Sequence, residues 1–244
     1  MNRIDVHCHF LPALDDGCRT LRESLDCFRQ MVEAGYTRIF CTPHCGTADF
    51  SNLPVAEVAQ RVQTLQAQVT EAGMALELRP GGELRLSANL VAMLPAGEGG
   101  KATWSVPTYG NAGKYVLTDI WEEDWPEWAT EAVEWLQAQS LTVIIAHPER
   151  MGSLLANPGR IDELAKLGVL FQGNLAPIGG SDSVQVVSLA ERYLLEGRYF
   201  MVGTDGHRSY TLPQRLAGLD RIRELVGAEK LEELTVKNPS RLWQ

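Results

Sequence analysis

A chain of 244 residues, 45% of them hydrophobic, is long enough for one large domain and too apolar to be disordered or fibrous. Its net charge of −9, with no Lys/Arg-rich run, excludes a protein that wraps DNA or RNA through a basic surface. The opening MNRIDVHCHF lacks the basic-then-apolar pattern of a signal peptide, and no apolar run reaches the length of a membrane span, so the expected location is cytoplasmic.

Apolar, β-branched runs alternate with amphipathic ones. In chain order the pattern predicts a strand over 4–7, a helix over 21–34, a strand over 38–42, a helix over 55–71 and a strand over 75–79. A segment from 87 to 107, rich in Gly and Pro, interrupts this rhythm and reads as a surface loop inside a single domain spanning 1–244. The alternation then resumes with strands over 114–120, 141–146, 169–172 and 199–204. Helices over 128–139, 160–167, 184–196 and 212–226 complete it. Repeated strand-helix units of this kind build a parallel sheet, and seven of them in one domain suggest an α/β barrel, closed or nearly so.

Five cysteines, Cys8, Cys18, Cys27, Cys41 and Cys45, crowd the first 45 residues in an odd number, which does not look like a disulfide framework. Cys41 and Cys45 could be a zinc pair, but buried free thiols in a reducing compartment are the preferred reading.

The histidines carry the strongest signal. The chain has five, and each lies at or just past the end of an expected strand: His7 and His9, His44, His147 and His207. Glu83 follows the third strand in Pro80-Gly-Gly-Glu83, and Asp119 ends the fourth. In a parallel barrel those ends meet on one face, where active sites are built. Side chains alternate along a strand, so His7 and His9 point the same way and can share an ion, whereas Cys8 turns toward the packing side. Asp205 and His207 repeat that spacing. One histidine at a strand end is an ordinary hydrogen-bonded residue, Asp15-Asp16-Gly17 alone is a turn, and Gly81-Gly82-Glu83 alone is a loop. Jointly they indicate a metal centre. Mixed imidazole and carboxylate ligands suit manganese, iron or zinc, and the number of ligands calls for two or three ions.

These blocks, His7-x-His9, Thr42-Pro-His44, Gly82-Glu83, His147-Pro-Glu-Arg150 and Thr204-Asp-Gly-His207, resemble the motif series of the polymerase and histidinol phosphatase (PHP) superfamily. The run His9-Phe-Leu-Pro-Ala-Leu-Asp-Asp-Gly17 narrows the resemblance to the bacterial capsule and exopolysaccharide branch of metal-dependent protein-tyrosine phosphatases. It covers essentially the whole chain. It implies a distorted seven-stranded β/α barrel with a three-metal site. His7, His9, Glu83 and Asp205 would hold one ion. Glu83 would bridge to a second, completed by Asp119 and His147, and Asp16, His44 and His207 would hold a third.

The resemblance also makes Arg150 the phosphate-gripping residue and, with Asp16 and His207, a candidate for catalysis; a surface salt bridge is the plainer role for its guanidinium. This chain departs from the branch in three ways, one being that the 87–107 loop matches no part of its pattern. Asp119 replaces a Glu one methylene longer, and Arg208 directly follows the last motif histidine, so a second phosphate contact falls to Arg208, Arg215 or neither.

The expected reaction is hydrolysis of a phosphomonoester by a metal-bound hydroxide, with no covalent enzyme intermediate. Phosphotyrosine is chemically apt, because a phenolate with a pKa of about 10 leaves more easily than an alkoxide. The expected partner is a phosphotyrosyl protein, including a cognate tyrosine autokinase. The alternatives are a small-molecule phosphatase acting on histidinol phosphate or a sugar phosphate, and a catalytically silent metal-binding regulatory module. A cysteine-dependent phosphatase is disfavoured: six residues beyond the five cysteines stand Leu14, Ser24, Glu33, Thr47 and Ser51, never an arginine.

Overall fold

The computed structural model describes residues 2–46, 54–88 and 106–244. Most of the expected 87–107 loop, from 89 to 105, lies outside the described residues. Nine strand segments are present among them: β1 (Arg3–Asp5), β2 (Tyr36–Cys41), β3 (His44–Cys45), β4 (Glu77–Pro80), β5 (Glu83–Arg85), β6 (Tyr115–Asp119), β7 (Thr142–Ala146), β8 (Leu170–Asn174) and β9 (Met201–Gly203). Every pairing is parallel, in the orders β1-β2-β4 and β3-β5-β6-β7-β8-β9.

The expected strands are present, two of them in an altered form. β2 stops at Cys41, and β3 begins again at His44 in the other sheet; β4 stops at Pro80 and β5 resumes at Glu83. Pro43 lies in the first gap and has no N–H to give a ladder, while Gly81 and Gly82 fill the second. A Cβ on Gly82 would come within 2.6 Å of the Pro107 side chain, so only glycine lets the chain pass there. The outer edges of the sheet meet as well. Asp205 N–H donates to the His7 carbonyl at 2.7 Å and His9 N–H to the Gly206 carbonyl at 2.8 Å, with Cys8 bridged in parallel to Gly206. The sheet is therefore curled, with its first and last segments in contact.

Helices cover the outside. In α1 (Leu21–Glu33) the hydroxyl of Thr20 accepts from Glu23 N–H, and Ser24, Cys27, Phe28 and Met31 make one buried stripe at helical spacing. α2 (Val55–Glu71) buries Val58, Val62, Leu65 and Val69 in the same way. α3 (Glu127–Ala138), α4 (Ile161–Lys166) and α5 (Val184–Leu195) follow within one residue of the expected bounds. The single helix expected over 212–226 is instead two, α6 (Leu212–Leu216) and α7 (Gly218–Glu232). At their junction Gly218 packs on Leu175, whose carbonyl would lie 2.2 Å from an added Cβ. No helix among the described residues is long and apolar enough to cross a membrane.

The larger core cluster lies between sheet and helices and includes all five cysteines, none in a disulfide. Cys8 is fully buried with its thiol on the Phe40 carbonyl, as its outward alternation required. A smaller cluster of Ile4, Val6, Phe40, Tyr109, Leu117, Ile144, Ala146, Met201, Leu242 and Trp243 fills the space inside the curl. Leu117 and Asp119 alternate onto one face of β6, so the same strand supplies a piece of this inner core and, one step further on, a polar group above it.

Candidate metal centre

Above the inner cluster, the ends of the strands bring all five histidine rings together. His9 lies 4.1 Å from His207 and 4.4 Å from His44 by ring centroids, and His7 lies 5.3 Å from His9 and 5.6 Å from His147. Glu83 sits between them. Its Oε1 is 2.8 Å from His147 Nε2, and its Oε2 is 2.9 Å from His44 Nδ1, 3.3 Å from His7 Nε2 and 3.5 Å from His9 Nε2. Asp205 Oδ1 approaches His7, His9 and His207 at 3.4–3.7 Å. Asp16 Oδ1 is 3.4 Å from both His44 Nε2 and His207 Nε2. Donor atoms gather in four groups, each spanning no more than 4.8 Å: His9, Asp16, His44 and His207; His7, His9 and Asp205; His7, Glu83 and His147; and His44, Glu83 and Asp119. Asp119 groups there with Glu83 and His44, and not with His147.

The site has a dry floor and an open rim. His7, His9, Glu83, Asp119 and Asp205 are buried, whereas the Asp16 side chain is 62% exposed and His207 is partly so. The adjoining cavity, about 360 Å³, is lined by His44, Glu83, Asp119, Trp121, His147 and Arg150 among others. A wider groove of about 710 Å³ runs along α1 and α2, but no histidine or cysteine lines it.

Hydrogen bonds fix which ring nitrogens face inward. His7 Nδ1–H donates to Gln172 Oε1 at 2.7 Å, and His9 Nδ1–H to Asp15 Oδ2 at 2.7 Å. In its neutral form each ring then offers a bare Nε2, and the two Nε2 atoms lie 3.2 Å apart. Two lone pairs facing each other need a cation or a proton between them. Glu83 Oε2 and Asp119 Oδ1 are buried without an acceptable hydrogen bond, although ring nitrogens crowd the former. Orphaned carboxylate oxygens beside bare imidazole nitrogens are what a divalent ion would satisfy, so the donor set fits a metal centre.

The backbone is bent to serve the same end. His147 and Asp205 have positive φ, 33° and 48°, a conformation that costs a non-glycine residue energy and persists only where the surroundings enforce it. Asp5, fully buried, accepts from Thr204 N–H and Oγ1–H and so clamps the loop bearing Asp205 to β1. Burial pushes the Asp5 carboxyl up to about 6. Glu149 anchors the loop of His147 and Arg150, its oxygens accepting from Asn174 N–H at 2.8 Å and Tyr199 O–H at 3.0 Å.

Electrostatics follow from this crowding. Burial alone would drive Glu83 and Asp205 up; the surrounding histidines, joined at Asp205 by Arg215, outweigh it and hold both below the usual carboxylate range. Asp119 moves the other way, to about 6, through burial and the neighbouring charge of Glu83. Burial pulls the His44 and His147 rings down, but Asp16 and Glu83 at the one, and Glu83 at the other, raise each to about 9.

Of the arginines, Arg150 enters the site, with Nη1 on Asp205 at 3.1 Å and Nε and Nη2 on Asp182 at 3.1 and 2.9 Å. Arg215 reaches the Asp205 carboxylate at 3.3 Å. Arg208, one of the candidates for a second phosphate contact, pairs with Glu23 of α1 at 3.4 Å and is not among the residues lining the cavity. Sequence reasoning missed the supporting residues Asp15, Gln172, Asn174, Glu149, Asp182 and Trp121. Two carried a signal, Asp15 in the doubled acid of Asp15-Asp16-Gly17 and Glu149 inside the His147-Pro-Glu-Arg150 block; among the described residues no candidate metal group includes Cys41 or Cys45.

A sequence model of the CpsB/CapC family, capsular polysaccharide synthesis, matches residues 3–244. The chain is 27% identical over 208 residues to the tyrosine-protein phosphatase YwqE of Bacillus subtilis, covering 85% of this chain and 78% of that protein. It is 25% identical over 242 residues to the tyrosine-protein phosphatase CpsB of Streptococcus agalactiae serotype III, covering 96% of each. A crystal structure from a study of YwqE and of CpsB from Streptococcus pneumoniae, both called metal-dependent tyrosine phosphatases, matches with a TM-score of 0.85 at 25% identity, covering 98% of this chain and 94% of that one. With a family match running nearly end to end, the chain belongs to the CpsB/CapC family of capsular polysaccharide synthesis.

Proposed function

We propose that this chain is a metal-dependent protein-tyrosine phosphatase of capsule or exopolysaccharide regulation. The observation that carries the reading is the convergence of five imidazoles with Glu83, Asp119 and Asp205 around carboxylate oxygens that no hydrogen bond satisfies. The relatives named above are tyrosine phosphatases, which supports the choice of phosphotyrosine.

We assign His7, His9, Glu83 and Asp205 to one ion, Glu83, Asp119 and His147 to a second, and Asp16, His44 and His207 to a third, with manganese, iron or zinc as the occupants. The donor groupings support the third set, with His9 added, and the His7, His9 and Asp205 part of the first; Glu83 groups with His7 and His147 on one side and with His44 and Asp119 on the other, so the second set joins parts of two groups. We read β2 with β3 and β4 with β5 as single interrupted strands of a seven-stranded PHP barrel; the contact between His7–His9 and Asp205–Gly206 supports that reading. We read the whole chain as a single domain.

When bound, such ions acidify a water and draw charge from the phosphoryl oxygens, which suits an acidic protein to an anionic substrate. The chain's own groups do the rest. Gln172 and Asp15 hold the His7 and His9 rings with Nε2 inward. Arg150 uses three of its five N–H groups on Asp182 and Asp205, and the remaining two are available to a phosphate. Asp16 and His207 form the exposed rim where substrate enters, and Arg150 steadies charge on its oxygens. A phosphotyrosyl protein, including a tyrosine autokinase, is the proposed partner; five reduced cysteines are consistent with work in the cytoplasm.

The test is metal content of the purified protein together with turnover of a phosphotyrosyl peptide, histidinol phosphate and a sugar phosphate, before and after chelation. Two to three equivalents of metal, with chelation-sensitive activity favouring the peptide, are expected. Preference for either small phosphate would move the assignment to a metabolic phosphatase. Bound metal with no turnover of any substrate would leave a regulatory module.

A further inference from the structure

Trp121 stands at the mouth of the 360 Å³ cavity with 56% of its surface exposed. An aromatic face at the lip of a polar cavity offers contact area to an incoming ring. The other large exposed apolar side chains among the described residues, Leu21, Val184, Leu195 and Tyr210, do not line this cavity.

Nor is the indole loose. Its Nε1–H donates to the Asp119 carboxylate, and the Arg85 guanidinium carbon lies 3.8 Å over its ring centroid. Arg85 follows Glu83 by two residues on β5, so alternation turns both toward the same side. No carboxylate pairs with Arg85 among the described residues, and its Nε is buried without a hydrogen-bond partner, so the indole is the neighbour that receives this cation. His44 meets the indole edge-on at 6.2 Å between centroids. An aromatic surface held at two points has already lost the freedom that binding would otherwise cost.

We propose that Trp121 is the residue that selects aryl over alkyl phosphates, receiving the phenyl ring of a phosphotyrosyl side chain whose phosphate lies among the histidines. This rests on the phosphatase reading above. The cavity is small enough to take one such side chain and at the lower end of the range for small-ligand sites. An alkyl phosphate of the same charge gains nothing from the indole. Ring-on-ring contact accounts for a preference of roughly two- to tenfold.

The test compares wild type, Trp121→Phe and Trp121→Leu in the manganese-loaded protein. Calorimetry gives the ratio of affinities for phenylphosphonate and methylphosphonate, and turnover gives the ratio of kcat/KM for a phosphotyrosyl and a phosphoseryl peptide of one sequence. Both variants lose the hydrogen bond to Asp119, and taking ratios cancels any effect of that loss on the metal site. The phenyl preference is expected to survive largely in W121F and to fall about two- to tenfold in W121L. Equal ratios in all three proteins overturn the proposal, as does a fall in W121F as deep as in W121L. Failure of wild type to bind either phosphonate also overturns it. Tight, ring-selective phosphonate binding without turnover of any phosphomonoester would sink the phosphatase reading alone.

Discussion

Asp15 should control metal affinity without touching the metal. Its Oδ2 accepts from His9 Nδ1–H at 2.7 Å and from His44 N–H at 3.1 Å, and its Oδ1 accepts from Gly17 N–H at 3.0 Å. Burial opposes ionisation of this carboxyl, but the His9 charge and these hydrogen bonds outweigh it and keep it below the usual range. Asp15→Ala removes all three bonds and frees the His9 ring to turn or to move its proton to Nε2. Loss of such a supporting carboxylate lowers metal affinity about 10- to 100-fold, or ~1.4–2.8 kcal/mol. Two backbone N–H groups also lose their acceptor, so the metal-free fold should lose about 1–3 kcal/mol. Asp15→Asn, which keeps one accepting oxygen, should fall between. Competition with a chromophoric chelator measures the first effect, and urea denaturation of stripped protein the second. An affinity within twofold of wild type would falsify the positioning role. The loss of one whole equivalent of metal would refute it differently, by making Asp15 a ligand.

The metal-free protein should become less stable as pH rises from about 6.5 to 9. His44 and His147 are raised to about 9 in the fold, so their pairing with carboxylates stabilises fully below the unfolded histidine value and disappears as pH passes the folded one. Metal affinity should climb over the same interval, since bound protons must leave; a flat affinity between pH 6.5 and 9 contradicts this. Gly17→Ala places a Cβ 1.9 Å from the His9 carbonyl, and the forced shift should cost about 1–3 kcal/mol, read by denaturation of the stripped protein. Arg150→Lys keeps the charge and loses the planar fork; kcat/KM for a phosphomonoester should drop at least roughly tenfold, equivalent to one charge-assisted hydrogen bond. Glu149→Leu leaves Asn174 N–H and Tyr199 O–H without their acceptor, and should cost about 1–3 kcal/mol for each bond in thermal or urea unfolding.

The residues that could be read from the chain are those whose chemistry is scarce and whose position is periodic. Five histidines at strand ends are such a set, and the i, i+2 spacing of His7 and His9 dictates a common direction whatever the details of the fold. The helices were legible for the same reason, as the stripe in α2 repeats every three or four residues. What could not be read depends on partners distant in sequence. Gln172 and Asn174 look like ordinary strand residues until β8 brings them against His7 and Asp205. Arg208 lies next to a motif histidine, yet its charge is drawn to Glu23, 185 residues away in sequence. The interruption of β2 at Pro43 was visible as a proline, but that the strand resumes in the neighbouring sheet is a matter of pairing and not of local preference.

The seam between His7–His9 and Asp205–Gly206 has a bearing on how the molecule comes together. Donor atoms on either side of it belong to the earliest and latest strand-bearing stretches, and they share a common point only after the intervening β/α units have wound round to place them. On the proposed metal assignment, a partly wound chain would present only fragments of the ligand set, and ions bound in the finished site would fasten the two stretches together.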